Sequence, residues 1–326
     1  MNGFAGVDFN SARLTADALD HALHAMLRTG VTRCLPTLIT APESVLAARL
    51  AALDTAVAES RLGPLMVPGY HLEGPFLSPR DGYAGCHDAA AMIAPDRRLV
   101  ERIATGLRRP ILLLTLAPEL PGAAALIRWC RARGMVVAIG HTAAGSAEIA
   151  EAVAAGAALS THLGNAAARI QHKFDNPIMA QLAEDGLAAG FIADGLHVPP
   201  FALKAMIRAK GVSRTILVTD ATAAAAAPAG RYDFAGMAIE RNEAGEVRAL
   251  GGSVLAGSAL TLDLAVRNLV AWRIASADEA IRMASDHPAQ ALRPALEAHG
   301  LDLADGELTW SNDLALTTIR LGDLAA

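Results

Sequence analysis

From residue 31 to residue 220, short aliphatic runs alternate with longer amphipathic segments. Five of the runs end on a titratable residue: Glu73, His141, His162, His197 and Asp220. The runs read as strands over 31–40, 65–73, 111–116, 135–139, 157–160, 187–192 and 215–218. They are almost wholly apolar, and a strand apolar on both faces belongs in a parallel sheet covered by helices. The segments between them read as helices. Thr15 caps one that runs to about Arg28, with Leu19, Leu23 and Leu27 on one face. Pro42 opens a second, ending near Ser60. Others are expected over 97–105, 123–133, 146–155 and 177–184, and from Pro199. The alternation predicts an α/β fold of the (β/α)8 TIM-barrel type. In such a barrel the C-terminal ends of the strands converge on one mouth, so the five terminal side chains would meet there.

Glu73 illustrates the constraint. Gly74 and Pro75 follow it at once, so it lies where a strand gives way to a loop. A carboxylate delivered by a buried strand is costly unless it is paired or bound to a cation. Glu73, His141 and His162 offer one oxygen and two nitrogens, a catalytic zinc set of three protein ligands with a fourth position for water. Asp220, on the neighbouring strand end, suits a proton shuttle for amide hydrolysis. His197 is placed to orient substrate. His21 and His24, one turn apart on the first helix, have no third ligand nearby and read as a solvated face.

The connections carry further signals. The loop from residue 74 to about residue 90 holds Cys86 and His87 and is longer than a simple link requires. Residues 228–250 break the rhythm and read as a small antiparallel excursion with a turn at 242–245. The stretch 251–258, Gly-Gly-Ser-Val-Leu-Ala-Gly-Ser, leads into a helix and can approach a phosphate or sugar closely. Two more helices, over 276–284 and 288–298, precede short strands over 307–310 and 314–321. Residues 1–14 read as a loop.

The 326 residues are 53% hydrophobic, enough for one large domain. A net charge of -5 gives no basic footprint for nucleic acid. Cys34, Cys86 and Cys130 form no CxxC pair, which points to a reducing compartment. No apolar run reaches the length of a membrane span, and the start is neither basic nor a signal sequence. A cytoplasmic protein is expected.

At the residues named above, the sequence resembles N-acetylglucosamine-6-phosphate deacetylase, a branch of the amidohydrolase superfamily. The shared motifs are His71-Leu72-Glu73-Gly74-Pro75-Phe76, Gly140-His141-Thr142, Thr161-His162-Leu163-Gly164-Asn165, Ala193-Asp194-Gly195-Leu196-His197, Val218-Thr219-Asp220-Ala221 and Leu255-Ala256-Gly257-Ser258. The resemblance implies a barrel that hydrolyses the N-acetyl amide of an amino sugar phosphate in amino-sugar catabolism. It implies metal ligation by Glu73, His141 and His162, with Asp220 as general base and acid. Substrate contacts are implied from His197, Cys86 and His87, from Asn165 and Ala166, and from Leu255, Ala256 and Gly257. The implied partners are a small-molecule substrate and a second copy of the chain in a homodimer.

The sequence departs from the family pattern at several places. The family carries a β-sandwich segment and a first barrel strand ahead of the opening loop, where Met1 falls here, so the first strand is expected to be missing. The His-x-His pair, or its Gln-x-Asn replacement, is represented only by Asn2, which leaves one divalent ion, zinc. The family's phosphate-binding Arg has no clear match; Arg169, His172 or Lys173 is the substitute, with Lys173 expected to contact the substrate. Gly164 also stands in place of a larger residue. Residues 1–290 are expected to form the hydrolase barrel and 291–326 a helix with short strands, a remnant of the accessory β-sandwich. The alternatives are a related hydrolase acting on another N-acyl or cyclic amide, and an inactive truncated relative.

Overall fold

The computed structural model describes residues 1–252, 254–302, 306–322, 324 and 325. Its centre is a seven-stranded parallel sheet whose spatial order follows the sequence. The strands are Thr37–Ile39, Tyr70–Glu73, Ile111–Leu116, Val136–Ile139, Leu159–Ser160, Ala188–Ile192 and Thr215–Val218. Here they are called the first to the seventh. Each is followed by a helix, loop or both, the βα rhythm expected of a TIM-type barrel. The helix Ala16–Arg28 is capped as expected, Thr15 Oγ1 accepting from the Ala18 amide at 3.3 Å. His21 and His24 lie on its exposed side.

Two strands are shorter than the apolar runs suggest. Of residues 31–40 only Thr37–Ile39 pair, because Pro36 has no N–H to give a ladder. Of residues 65–73 the strand is Tyr70–Glu73, and Gly63–Met66 is a single helical turn. Pro64 suits the first turn of a helix, and Pro68-Gly69 separates that turn from the strand. The apolar residues Leu65 to Val67 therefore fill core space without joining the sheet.

The described residues hold no eighth strand between the first and the seventh. Residues 1–10 occupy that gap instead. They form a two-strand hairpin, Gly3–Phe4 with Val7–Asp8, rather than a simple loop. The Thr37 amide donates to Met1 O at 2.8 Å, and the Asn2 amide donates to Ala221 O at 2.7 Å. Asn10 completes the seal. Its Oδ1 accepts from the Ile39 amide at 3.0 Å and its Nδ2 donates to Thr37 O at 2.9 Å. A carboxamide has the donor and acceptor of a peptide group, so Asn10 stands in for a neighbouring strand and covers the sheet edge.

The largest core cluster joins strands two to four to the helices Ala16–Arg28, Glu43–Glu59, Arg97–Ala104 and Ala123–Ala132. A second cluster joins Phe191, Ile192 and Leu217 to the helices Pro200–Lys210 and Leu262–Ala271. The antiparallel excursion is a three-stranded sheet, Gly230–Phe234, Met237–Arg241 and Val247–Ala249, with Asn242 and Glu246 closing the turn. The helix Asp286–Ala298 packs Ala295 and Leu296 against Leu112, Val136 and Ile216 of the barrel strands, and the boundary drawn at 290/291 falls within it. The strands Gly306–Trp310, Leu316–Leu321 and Leu324–Ala325 form a separate small sheet. Ser253 of the Gly-rich stretch lies outside the described residues.

Candidate metal centre and active site

Alternation along the second strand sorts its side chains. Tyr70 and Leu72 face the helices, where the Tyr70 hydroxyl donates to Asp54 Oδ1 at 2.8 Å. His71 and Glu73 face inward. His71 is wedged between Thr37 Oγ1, 3.0 Å from Nδ1, and Thr115 Oγ1, 2.8 Å from Nε2. Burial pushes its pKa down to about 3, so it is neutral.

Above it, three groups converge. Glu73 Oε1 lies 3.2 Å from His141 Nε2 and 2.9 Å from His162 Nε2. All three side chains are buried. The donor atoms lie within 4.8 Å of one another, the geometry of a possible metal-ion site. Neither histidine is inside its strand. His141 follows Gly140, His162 follows Thr161, and both take left-handed backbone angles, with φ of 50° and 25°. Asp220 at the end of the seventh strand does the same, with φ of 50°. Such angles are uncommon for residues other than glycine, and they mark places where side-chain placement outweighs backbone comfort. Gly85 crosses so close that a Cβ there would lie 3.1 Å from His141 Cε1.

Proton positions test whether this cluster suits a metal. His141 Nδ1 is 3.0 Å from the Tyr83 carbonyl, which can only accept. Nδ1 therefore carries a proton, and when Nε2 carries none its lone pair faces the Glu73 carboxylate, an arrangement that calls for a cation between them. At metal–ligand distances of about 2.0–2.2 Å, the edges of a zinc tetrahedron are roughly 3.3–3.6 Å. The separations of 3.2 and 2.9 Å come close to that. Burial raises the Glu73 pKa, but the hydrogen bonds and charges of His141 and His162 override it and hold the carboxyl well below its usual range. Burial likewise opposes protonation of His162, yet Glu73 and then Asp220 push it up to about 9. The site attracts positive charge, and a divalent ion can take the place of protons there.

A cavity of about 1070 Å³ opens above the triad. Of the residues expected to meet substrate, Cys86, His87, Asn165, Ala166, His197, Leu255 and Gly257 line it, as does Asp220. His87 Nδ1 lies 2.9 Å from Thr40 Oγ1, and its ring sits 4.4 Å from that of His141. Burial lowers its pKa to about 3, so it is a neutral wall group. Burial also pushes the Cys86 thiol up to about 12, so it is no nucleophile at neutral pH. Asp220 Oδ1 accepts from Asn2 Nδ2 at 2.8 Å. Its carbonyl accepts from the Ser258 amide at 2.9 Å, tying the Leu255–Ser258 loop to the seventh strand. Gly257 makes this possible, since a Cβ there would come within 2.8 Å of that carbonyl and within 2.5 Å of Thr222 Cγ2. Ala256 is fully buried behind the loop.

Lys173, like Ala256, does not line the cavity. Its Nζ lies 5.1 Å from the Phe174 ring. The loop folds back there because His172 Nδ1 accepts from the amides of Phe174 and Asp175, while Asp175 caps the helix Ser146–Ala155 through the Ser146 amide at 2.7 Å. Arg169 of the same loop lines the cavity, together with Arg80, Phe234 and Arg248. Asp194 also escaped sequence reasoning as a site residue. Its Oδ2 lies 2.6 Å from His197 Nδ1, and it lowers its own pKa by this bond despite burial. The motif spacing, three residues on a turn, was its available signal.

No protein-family model matches the chain. Among curated proteins, an N-acetylgalactosamine-6-phosphate deacetylase from Escherichia coli O157:H7 is 34% identical over 293 residues, covering 90% of the chain and 75% of that protein. An N-acetylglucosamine-6-phosphate deacetylase from Lysinibacillus sphaericus is 34% identical over 227 residues, covering 70% of the chain and 58% of its own length. Among solved structures, an N-acetyl-D-glucosamine-6-phosphate deacetylase from Mycobacterium smegmatis, in complex with N-acetyl-D-glucosamine-6-phosphate, superposes with a TM-score of 0.86 at 30% identity. That match covers 98% of the chain and 82% of the other.

Proposed function

The chain belongs to the N-acetylglucosamine-6-phosphate deacetylase family, and we propose that it hydrolyses the N-acetyl amide of N-acetylglucosamine-6-phosphate to glucosamine-6-phosphate and acetate. The observation that carries this is the convergence of Glu73, His141 and His162 beside Asp220 at one cavity. The triad would hold one divalent ion, and a set of two imidazoles and one carboxylate favours zinc. When bound, such an ion polarises the amide carbonyl and acidifies water at the site.

The chain's own groups do the rest. Asp220, with Oδ1 engaged by Asn2, uses its carboxylate to take a proton from the attacking water. Water adds to the acetyl carbonyl, the C–N bond breaks, and the same carboxyl returns the proton to the departing amine. His197, with Nδ1 held by Asp194, turns Nε2 toward the substrate. That nitrogen is buried and has no hydrogen-bond partner among the described residues. The Cys86-His87 loop, Asn165-Ala166 and the Leu255–Gly257 loop shape the wall around the sugar.

The protein is further proposed to act as a homodimer in the cytoplasm. No helix among the described residues is long and apolar enough to cross a membrane, and all three cysteines are free. The segment from residue 291, including the small C-terminal sheet, is proposed to be a remnant of an accessory β-sandwich.

The test is release of acetate and free amine from N-acetylglucosamine-6-phosphate, with the galactosamine epimer in parallel. The E. coli relative carries the epimer's name, which is why both belong in the assay. Turnover of either sugar phosphate, abolished by chelation and restored by zinc, supports the proposal. A metal-loaded protein inert toward both sugar phosphates but active on another N-acyl or cyclic amide would replace it.

A further inference from the structure

The third strand, Ile111–Leu116, brings no ligand to the triad, yet the turn after it carries a half-buried carboxylate, Glu119, that the chemistry above leaves unused. Glu119 Oε2 accepts from Thr142 Oγ1 at 2.5 Å, and Oε1 accepts from the Ala143 amide at 2.8 Å. Both partners lie directly after His141. From this we propose that Glu119 is a positioning residue: it clamps the left-handed turn at His141 and so aims the imidazole at the metal site. The proposal rests on the reading of Glu73, His141 and His162 as the metal triad.

The backbone at His141 needs such a clamp. Its φ of 50° is one that residues other than glycine keep only where their surroundings impose it. On one side the loop after Glu73 imposes it. The His141 carbonyl accepts from the Ser78 amide at 2.9 Å, and Nδ1 lies 3.0 Å from the Tyr83 carbonyl. On the other side Glu119 holds residues 142 and 143. Glu119 is itself well anchored. Pro118 and Pro121 flank it with fixed φ, and the Leu120 amide closes the turn on Ala117 O at 3.3 Å. The Ala117 amide donates to Phe76 O at 2.8 Å, and the Gly74 amide donates to Thr115 O at 3.1 Å. The carboxylate is therefore tied to the loop that follows Glu73 while it grips the turn that follows His141, so it sets one ligand against the other. Thr142 completes the clamp. Its Oγ1 accepts from the Ala144 amide at 3.0 Å, which leaves the hydroxyl hydrogen for Glu119. Thr142 is buried, and a buried hydroxyl without an acceptor is costly, so the turn without Glu119 is driven to rearrange.

The experiment measures zinc affinity by competition with a chromophoric chelator, on protein that circular dichroism shows to be folded. It compares the wild type with Glu119→Ala, Glu119→Gln, Thr142→Val and Glu148→Ala. Glu119→Ala should bind zinc more weakly on the order of 10- to 100-fold, the usual effect of removing a group that orients a metal ligand. Glu119→Gln keeps one acceptor oxygen and should recover part of the loss, and Thr142→Val should show a smaller loss in the same direction. Glu148 is the control. Its Oε2 accepts from the Gly145 amide at 3.0 Å, further along the same segment, so Glu148→Ala should leave zinc affinity unchanged. Wild-type affinity in folded Glu119→Ala would overturn the proposal. An equal loss in Glu148→Ala would do the same, since it would mark a general loosening of the segment. Should Glu119→Ala fail to fold, Thr142→Val decides, and wild-type affinity there overturns the proposal. If the wild type takes up no zinc, the metal reading fails by itself. Crystal structures of the wild type and Thr142→Val then decide: in the variant His141 Nε2 must move out of hydrogen-bonding reach of Glu73 Oε1, and an unmoved ring overturns the proposal.

Discussion

Replacing Asp194 with Asn isolates the way the site orients His197. Asp194 Oδ1 accepts from the amides of Leu196 at 2.8 Å and His197 at 2.9 Å, which fixes the turn after the sixth strand. Oδ2 meets His197 Nδ1 at 2.6 Å, with side chains only 8% and 2% exposed. Asn keeps an oxygen for the two amides but turns an NH2 toward the ring. Nδ1 must then accept, and the ring proton moves to Nε2, the buried nitrogen proposed to meet the substrate. A charge-assisted bond of this kind contributes about 1.5–3 kcal/mol, and at about 1.4 kcal/mol per decade its loss corresponds to roughly 10- to 150-fold in kcat/KM. Steady-state acetate release measures this, alongside metal content and melting temperature. Metal content should not change, because neither residue belongs to the triad. The melting temperature should move by less than about 3 °C, since the backbone bonds to Oδ1 survive. A folded Asp194→Asn protein within twofold of wild-type kcat/KM would refute the orienting role, and loss of metal would show that the turn supports the triad instead.

Three other outcomes follow from the geometry. Asp220→Asn should fold and keep its metal, yet lose on the order of 10² to 10⁴ in kcat, the usual worth of general acid–base catalysis; near-normal kcat with metal bound would exclude the proton shuttle. Asn10→Ala leaves the buried Ile39 N–H and Thr37 C=O without their side-chain partner, which should cost about 2–4 kcal/mol in urea unfolding, and a loss below about 0.5 kcal/mol would mean the sheet edge is sealed otherwise. Asp8 is raised to about 6 by burial, only partly offset by bonds from the amides of Asn10 and Ala235; its folded form holds a proton that the unfolded chain has released between about pH 4 and 6, so the stability this group contributes is complete below about 4 and is lost as pH rises through 6. Melting temperature measured from pH 7 down to 5 should therefore rise more in the wild type than in Asp8→Asn, and parallel curves would contradict this.

Much of the barrel was legible because one physical rule dominates it. A strand buried on both faces must be apolar, and Ile111–Leu116 and Thr215–Val218 coincide with their apolar runs. The helix Ser146–Ala155 likewise matches its amphipathic run. The rule fails where proline intervenes, at Pro36, Pro64 and Pro68, since apolar composition does not reveal which backbone groups can pair. Strand-end residues could be placed together because a parallel barrel brings all C-terminal ends to one mouth. Arg248 could not, because its approach to the cavity depends on pairing with Glu240 and Leu255 across the excursion. Lys173 lies off the cavity for a related reason: its place in the loop after the His162 motif says nothing of the backbone bonds to His172 that fold the loop back. The left-handed angles at His141, His162 and Asp220 were also invisible, since none of them is glycine. Glu73, His141, His162 and Asp220 are all present around one cavity, which speaks against the inactive alternative.

Titration of chelated protein with zinc, read by acetate release from N-acetylglucosamine-6-phosphate, tests the central claim most directly. Activity should rise from near zero and break at about one equivalent per chain, as three ligands around a single centre require. Glu73→Gln, which keeps the shape but removes the carboxylate shared by both histidines, should show no such rise. Full activity before any metal is added, a break at two equivalents, or a normal titration in Glu73→Gln would contradict the account.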